Sequence, residues 1–215
     1  MIYKISLPKI NKDLAYFCGL ILGNGSLPNA YSKRPNGKLQ KRYIISFFCT
    51  SNEFLKEVYQ PLFFKLFHIS PKIYFQKKSK NCIVYNCRIE SKHIFKFLES
   101  INLIRGRKAK IARVPNLFKK HKLHVLAGLL DTDDGKKGSG FGFSTASKSL
   151  ALFCSKEFKY LNLSYHSCPW FYKGHNYHQI YVHKKDVPKI LESIPLKNKD
   201  KICLIKSYAS VAQPG

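Results

Sequence analysis

The chain has 215 residues and carries 38 Lys and Arg against 12 Asp and Glu, a formal net charge of +26. Its apolar content of 45% excludes a disordered polyelectrolyte, and its length suits one large domain or two small ones sharing a core. Charge of one sign spread along the whole length weakens a compact state unless a polyanion balances it, so nucleic acid is expected as partner and a membrane is not.

Lys4, Lys9 and Lys12 precede the apolar stretch Leu14–Gly23 in the manner of a signal peptide. Asp13 interrupts that join, however, and a similar stretch recurs internally at Val125–Leu130. No run approaches the roughly 18 apolar residues of a membrane span. The expected location is intracellular, cytoplasmic and either nucleoid-associated or organellar, without secretion. Seven scattered cysteines are expected to be free, reduced thiols.

In chain order, Asp13–Gly23 predicts a helix with Asp13 as N-cap. Two strands follow around Gly37–Cys49, after the polar stretch "NAYSKRPNGKLQKR". A helix starts at "SNEFLKEVYQPLFFKL" with Ser51 or Asn52 as cap. Strands "KIYFQKK" and "CIVYNCRI" then meet at a turn over Ser79–Asn81, and a helix holds "KFLESINL". "RGRKAKIARVPNLFKK" (Arg105–Lys120) joins this unit to a second pass of the same order. That pass has a helix over Leu123–Thr132, strands within Lys136–Thr145 and a helix from "SKSLALFCSKEF". Strands "HSCPWFYK" and "HQIYVH" turn at Gly174–Asn176, and "KILESIPL" is the last helix.

The two passes match in sequence. "KFLESINL" and "KILESIPL" lie 93 apart, "FCTSNEFL" and "FSTASKSL" 95 apart, and "CGLILGNG" and "AGLLDTDD" 109 apart. The larger last offset places about 14 extra residues in the first pass, at the polar stretch. The fold expected is α+β, with two pseudo-symmetric αββαββα subdomains over 1–104 and 121–215 and a linker over 105–120. Such a chain would be a monomer with an internal two-fold axis. One face of each sheet should be exposed and carry Arg42, Gln76, Lys78, Asn86, Arg88, Trp170, Tyr172, Lys173 and Gln179. Lys33, Arg34, Lys38 and Gln40 of the polar stretch and Lys137 are further candidates for contact with DNA.

Ala15, Gly19 and Gly23 fall on one helix face, and Gly128 and Thr132 on the other. Glycine inside a helix costs about 1 kcal/mol against alanine, so its use in both implies that the two backbones pack closely. Asn24 and Asp133, just past the stripes, should then meet near the two-fold axis. Asp131, Asp133 and Asp134 stand at a helix C-terminus, where the dipole disfavours acids. A divalent cation, Mg²⁺ or else Mn²⁺ or Ca²⁺, removes that objection and points to metal-assisted phosphodiester hydrolysis. A plain helix stop followed by an Asp-Gly turn is the alternative reading.

At these residues "LAGLLDTDD" (Leu126–Asp134) resembles the signature of the LAGLIDADG homing endonucleases, matching at Leu126, Ala127, Gly128, Leu129, Asp131 and Asp133. "FCGLILGNG" (Phe17–Gly25) resembles a second, diverged copy, so the resemblance covers nearly the whole chain. It implies motif helices packed between two saddle-shaped four-stranded sheets that lie in the DNA major groove. It also implies that the last acid of each motif binds metal beside the carbonyl of the preceding residue. Those pairs here are Asp133 with Thr132, and Asn24 with Gly23. The implied product is a double-strand break across the minor groove with short 3′ overhangs.

Three departures qualify what is implied. Leu22 replaces an acid, and Asp134 stands in place of glycine before Gly135, which makes Asp134 the alternative ligand to the favoured Asp133. Asn24 is neutral, as it would be in a natural nickase, in a binding protein without cleavage, or after the acid-to-amide exchange an experimenter would choose. Family members also place a polar or basic residue near each scissile phosphate, for which Lys136 is the candidate, and Lys41 or Arg42 in the first half. The alternative function is a maturase that holds intron RNA on the same fold. A zinc site from His175, His178, His183 and Cys168 matches no ligand spacing and is set aside.

Overall fold

In the computed structural model, residues 7–79, 82–137 and 140–210 are described, without the side chains of 77–79, 82, 133, 134, 209 and 210. The expected turn at Ser79–Asn81, the start of "GSGFGFST" and the side chains of Lys78, Asp133 and Asp134 therefore lie outside the described residues.

Asn11 starts helix α1 (Lys12–Gly23), its side chain accepting from the Leu14 N–H at 2.9 Å. The cap thus lies two residues before Asp13. Asp13 sits in the first turn, where a carboxylate suits the helix dipole, and pairs with Lys65 at 2.6 Å. Every residue from Leu14 to Leu22 is buried. An amphipathic stripe would leave one side wet; this helix has none because a second helix covers it. That partner is the counterpart α5 (Lys122–Asp133), entered through a 3₁₀ turn at Asn116–His121. A Cβ on Gly19 would lie 2.2 Å from the Val125 carbonyl oxygen, and one on Gly128 2.3 Å from that of Tyr16. The two backbones touch there, at a distance that only glycine permits.

Each helix runs into an edge strand of its own antiparallel sheet. The first sheet has β1 (Gly25–Ser26), β4 (Ile44–Cys49), β6 (Cys82–Glu90) and β5 (Lys72–Ser79) in the order β1-β4-β6-β5. The second has β7 (Asp134–Lys137), β8 (Gly140–Thr145), β10 (His175–His183) and β9 (Tyr165–Tyr172) in the matching order β7-β8-β10-β9. The polar insertion forms a separate hairpin of β2 (Ala30–Lys33) and β3 (Leu39–Arg42), turning where Gly37 has a φ of +79°. The two strands expected across Gly37–Cys49 therefore belong to different sheets.

Ser51 caps α2 (Asn52–Phe54), which continues through a π-helical turn, Leu55–Tyr59, into α3 (Gln60–Phe67). Pro61 explains the widened turn, since it has no N–H for the carbonyl four residues back and its ring crowds that carbonyl. Ser147 caps the counterpart α6 (Lys148–Tyr160). The "LESI" segments form α4 (Lys92–Ser100) and α7 (Lys189–Ser193). A further helix, α8 (Lys199–Ser210), has no counterpart among the described residues of the first half. The β9–β10 turn is Lys173–Gly174, both at positive φ; His175 and Asn176 already pair with Tyr172 and Phe171.

The first core is aromatic, with Phe47 stacked on Tyr59 at 4.4 Å and Phe17 edge-on to Phe63 at 5.6 Å. Phe141, Phe143, Phe158, Ile180 and Val182 fill the second. The segment between the halves is tied to both. Gly106 N–H donates to the Leu27 carbonyl at 2.8 Å, and the Ser147 hydroxyl to the Ala112 carbonyl at 2.5 Å. Among the described residues, no helix is long and apolar enough to cross a membrane.

Candidate nucleic-acid interface and helix-end centre

Cross-strand partners share a sheet face. In the first sheet Phe47 pairs with Cys87 inside, so Lys72, Tyr74, Gln76, Asn86 and Arg88 point the other way, with Lys72 opposite Arg88 and Tyr74 opposite Asn86. In the second, Ile180 and Val182 are inside. Trp170, Tyr172, Tyr177 and Gln179 therefore line the outer face, Trp170 opposite Tyr177 and Gln179 opposite Cys168. Trp170 and Tyr172 stack at 5.1 Å and 19°, and the Lys173 ammonium lies 5.2 Å from the Tyr172 ring. Six sequence-chosen residues, Gln76, Asn86, Arg88, Trp170, Tyr172 and Gln179, are thus brought onto two open faces.

The remaining candidates differ in their surroundings. In the hairpin, Lys33 lies opposite Leu39, Lys38 is exposed, and Arg34 donates to Gln40 at 2.9 Å. Arg42 is paired with Glu90, which holds the Glu90 carboxyl below its usual range. The Lys41 ammonium lies 5.6 Å from the Tyr43 ring. On the edge strand β7, Lys136 pairs with Phe141 and is exposed, whereas Lys137 pairs with Gly140 and is partly buried.

The helix ends are in contact. A Cβ on Gly23 would lie 2.0 Å from the Thr132 hydroxyl oxygen, and the Asn24 side-chain amide donates to the Thr132 carbonyl at 3.3 Å. The Asn24 carbonyl accepts from Phe48 N–H at 3.1 Å, which fixes the chain as it enters the sheet. The last carbonyls of α1 have no partner within the helix. Lys108, from the joining segment, supplies one: its ammonium donates to the carbonyls of Ile21, of Leu22 at 2.7 Å and of Gly23 at 2.8 Å. A cation at a helix C-terminus is stabilising, and here it is held by three acceptors at once.

At the end of α5, the three acids separate by environment. Asp131 is 1% exposed. Its carboxylate accepts from the Tyr16 hydroxyl at 2.5 Å and from Lys197 N–H at 2.8 Å, while Asn198 donates to its carbonyl at 3.0 Å. Burial pushes the Asp131 carboxyl up to about 6, against the lowering pull of those hydrogen bonds. The same burial, with Asp131 beside it, raises the Tyr16 phenol well above its ordinary value. Asp131 is therefore an anchor between α1, α5 and the segment before α8. Asp133 ends α5 and Asp134 begins β7, so their backbone follows Thr132 directly.

Asn24, Thr132 and Asp131 line a cleft of about 390 Å³ together with Asn198, Asp200 and Lys201. Lys108, on the α1 carbonyls, and Lys201, lining the cleft, are basic residues that the sequence did not single out. Lys108 was one of several lysines in a linker. Lys201 lies on a helix whose signal, Ile202, Ile205 and Tyr208 after Asn198, is short.

Two positions invite a divalent cation, and they differ. Beside Asn24 the donor set does not fit: the residue is neutral, its amide N–H₂ is directed at the Thr132 carbonyl, and the Gly23 carbonyl already holds an ammonium. Beside Thr132 the residue types do fit, with carboxylate residues at 133 and 134, the hard oxygen ligands that Mg²⁺ and Ca²⁺ take, after a backbone carbonyl that accepts from the neutral Asn24 amide rather than from an ammonium. Among the described residues, no three His, Cys, Asp or Glu side chains stand close enough to hold a metal by themselves.

No protein-family model matches the sequence, and no curated protein sequence matches it significantly. Solved structures do. The homing endonuclease I-DmoI, in complex with DNA and Mn, superposes with a TM-score of 0.59 at 19% identity over 85% of this chain and 96% of its own. Meganuclease I-SmaMI bound to uncleavable DNA gives 0.58 at 15% identity, over 92% and 89%. The homing endonuclease I-WcaI bound to its DNA recognition sequence gives 0.58 at 15%, over 93% and 88%. The chain has the fold of these proteins.

Proposed function

We propose that this chain is a site-specific endonuclease of double-stranded DNA, working as a monomer of two subdomains (1–104 and 121–215) joined by 105–120. One observation carries the reading. Two glycine-packed helices bring Asn24 and Thr132 together between matched sheets whose open faces carry arginine, lysine, amides and aromatics. The DNA-bound neighbours of the same fold support it.

Each chain group has a task under this reading. Amide and guanidinium side chains on strands, Gln76, Asn86, Arg88 and Gln179, suit hydrogen bonds to base edges in the major groove. Lysines of the hairpin and of β7, Lys33, Lys38 and Lys137, suit phosphates and set the register. Asp133 with the Thr132 carbonyl would hold Mg²⁺, or Mn²⁺ or Ca²⁺ in its place, with Asp134 as the alternative carboxylate. A divalent ion there would polarise the phosphodiester and lower the pKa of a bound water. Asp131 keeps the α5 end rigid. Lys201, on the wall of the cleft with Thr132, is better placed than Lys41 to orient water or phosphate. Asn24 leaves the first half without its acid, so the expected product is a nicked strand, and the 3′-overhang double-strand break needs the acid restored.

The test is to treat a randomised duplex library in Mg²⁺ with the unsubstituted chain and to sequence the nicked products. Cuts gathered on one long sequence are expected; cuts without sequence preference, or none, would overturn the reading. The Trp170–Tyr172 stack favours a second reading, since exposed aromatic planes suit unpaired bases. Tighter binding of group I intron RNA than of the selected duplex at equal salt would establish that maturase reading instead.

A further inference from the structure

We propose that the Lys108 ammonium takes the place of a divalent ion in the first half, so that the chain holds one metal ion, at Asp133, rather than two. The inference rests on the nuclease reading and deepens it by assigning the charge at each helix end.

Three observations lead there. The ammonium lies on the carbonyls of Ile21, Leu22 and Gly23, and the last of these is the backbone oxygen that would serve a metal in this half. An ammonium has three N–H donors, which match three carbonyl acceptors, and it carries a single charge. Asn24 next to it is neutral. A doubly charged ion needs carboxylate to offset its cost of dehydration, and position 24 supplies none. Neutral Asn24 and cationic Lys108 therefore suit each other.

The tether argues in the same direction. Gly106 is tied to Leu27 and Ala112 to Ser147, so the segment that carries Lys108 is fixed on both sides of it. An acid at position 24 would gain Lys108 as an ion-pair partner before any metal. Restoring the acid alone is thus insufficient to admit a second ion; the lysine must also go.

The test counts ions. Mn²⁺ is titrated into the full-length chain, alone and with the duplex recovered by selection, and bound Mn²⁺ is read by electron paramagnetic resonance. The natural chain, Asn24→Asp and Lys108→Met should each bind one ion, and the Asn24→Asp/Lys108→Met double variant two. Two ions on the natural chain, or on Asn24→Asp alone, would overturn the inference and leave the nuclease reading intact. One ion on the double variant, shown to be folded by circular dichroism, would also overturn it. If the Lys108 variants fail to fold, the counts on the natural chain and on Asn24→Asp still decide, by the same two outcomes. No bound ion on any form would defeat metal-dependent cleavage itself, and the inference with it.

Discussion

The two helix ends occupy equivalent places in equivalent units, yet they solve the same electrostatic problem differently. At the end of α1 the unpaired carbonyls are met by a lysine 85 residues beyond Gly23, and the residue that follows the helix is neutral. At the end of α5 the following residues are acidic, and the only motif carboxylate buried among described side chains, Asp131, is held by Tyr16, Lys197 and Asn198. The first end is satisfied by the protein; the second has hard oxygen donors suited to a cation. A duplicated unit keeps its packing because both copies share one interface, whereas each half's chemistry can change alone.

The comparison can be broken experimentally, beginning with cleavage. Asp133→Asn should abolish strand scission in Mg²⁺, a loss of orders of magnitude, while binding of the selected duplex in a gel-shift assay persists; full activity would remove the asymmetry. The Asn24→Asp/Lys108→Met double variant should raise double-strand cleavage over nicking by orders of magnitude, as read from plasmid linearisation, while Asn24→Asp alone leaves the ratio near its starting value; an unchanged ratio in the double variant would mean the first end is not deficient. The shared packing should behave symmetrically. Gly19→Ala and Gly128→Ala each set a methyl carbon against a backbone oxygen, and each should cost about 3 kcal/mol in urea unfolding.

Asp131 offers a test specific to the second half. Its carboxyl titrates at about 6 in the fold against an ordinary value of 3.8, so the folded state binds this proton more tightly. The stabilisation is fully present below pH 4 and is lost as pH rises through 6. Between those values the natural chain should lose about 2 kcal/mol relative to Asp131→Asn, measured by denaturation at both pH values; parallel profiles would place Asp131 in a wet site. The smallest contrast concerns the caps. Ser51 accepts one bond, from Phe54 N–H, while the buried Ser147 accepts from Leu150 N–H and also donates to Ala112. Ser51→Ala should cost about 1 kcal/mol and Ser147→Ala about twice that.

Much of this was legible before any coordinates. Pattern and repetition placed both motif helices, the four-stranded units, the cap at Ser51 or Asn52 and the polar insertion, because each rests on local periodicity or on comparison of one half with the other. Boundaries slipped where a neighbour competes for the same role, as Asn11 does with Asp13 and Lys173 with Gly174–Asn176. The exposed sheet faces were read from alternation, which antiparallel pairing preserves. Arg42 was the exception in kind: alternation cannot reveal that Glu90, 48 residues away, is beside it.

The sequence alone determined that two copies of one αββαββα unit exist, that glycines line their first helices, and that acids gather after only one of them. Those features are written in spacing and identity, which survive without a fold. Only the tertiary structure decided that Asp131 is an anchor, that Asn24 faces the Thr132 carbonyl, and that Lys108 lies on the α1 carbonyls. Each of these is a contact of a few ångströms between residues far apart in the chain, set by how the halves pack, and linear spacing does not encode such a distance.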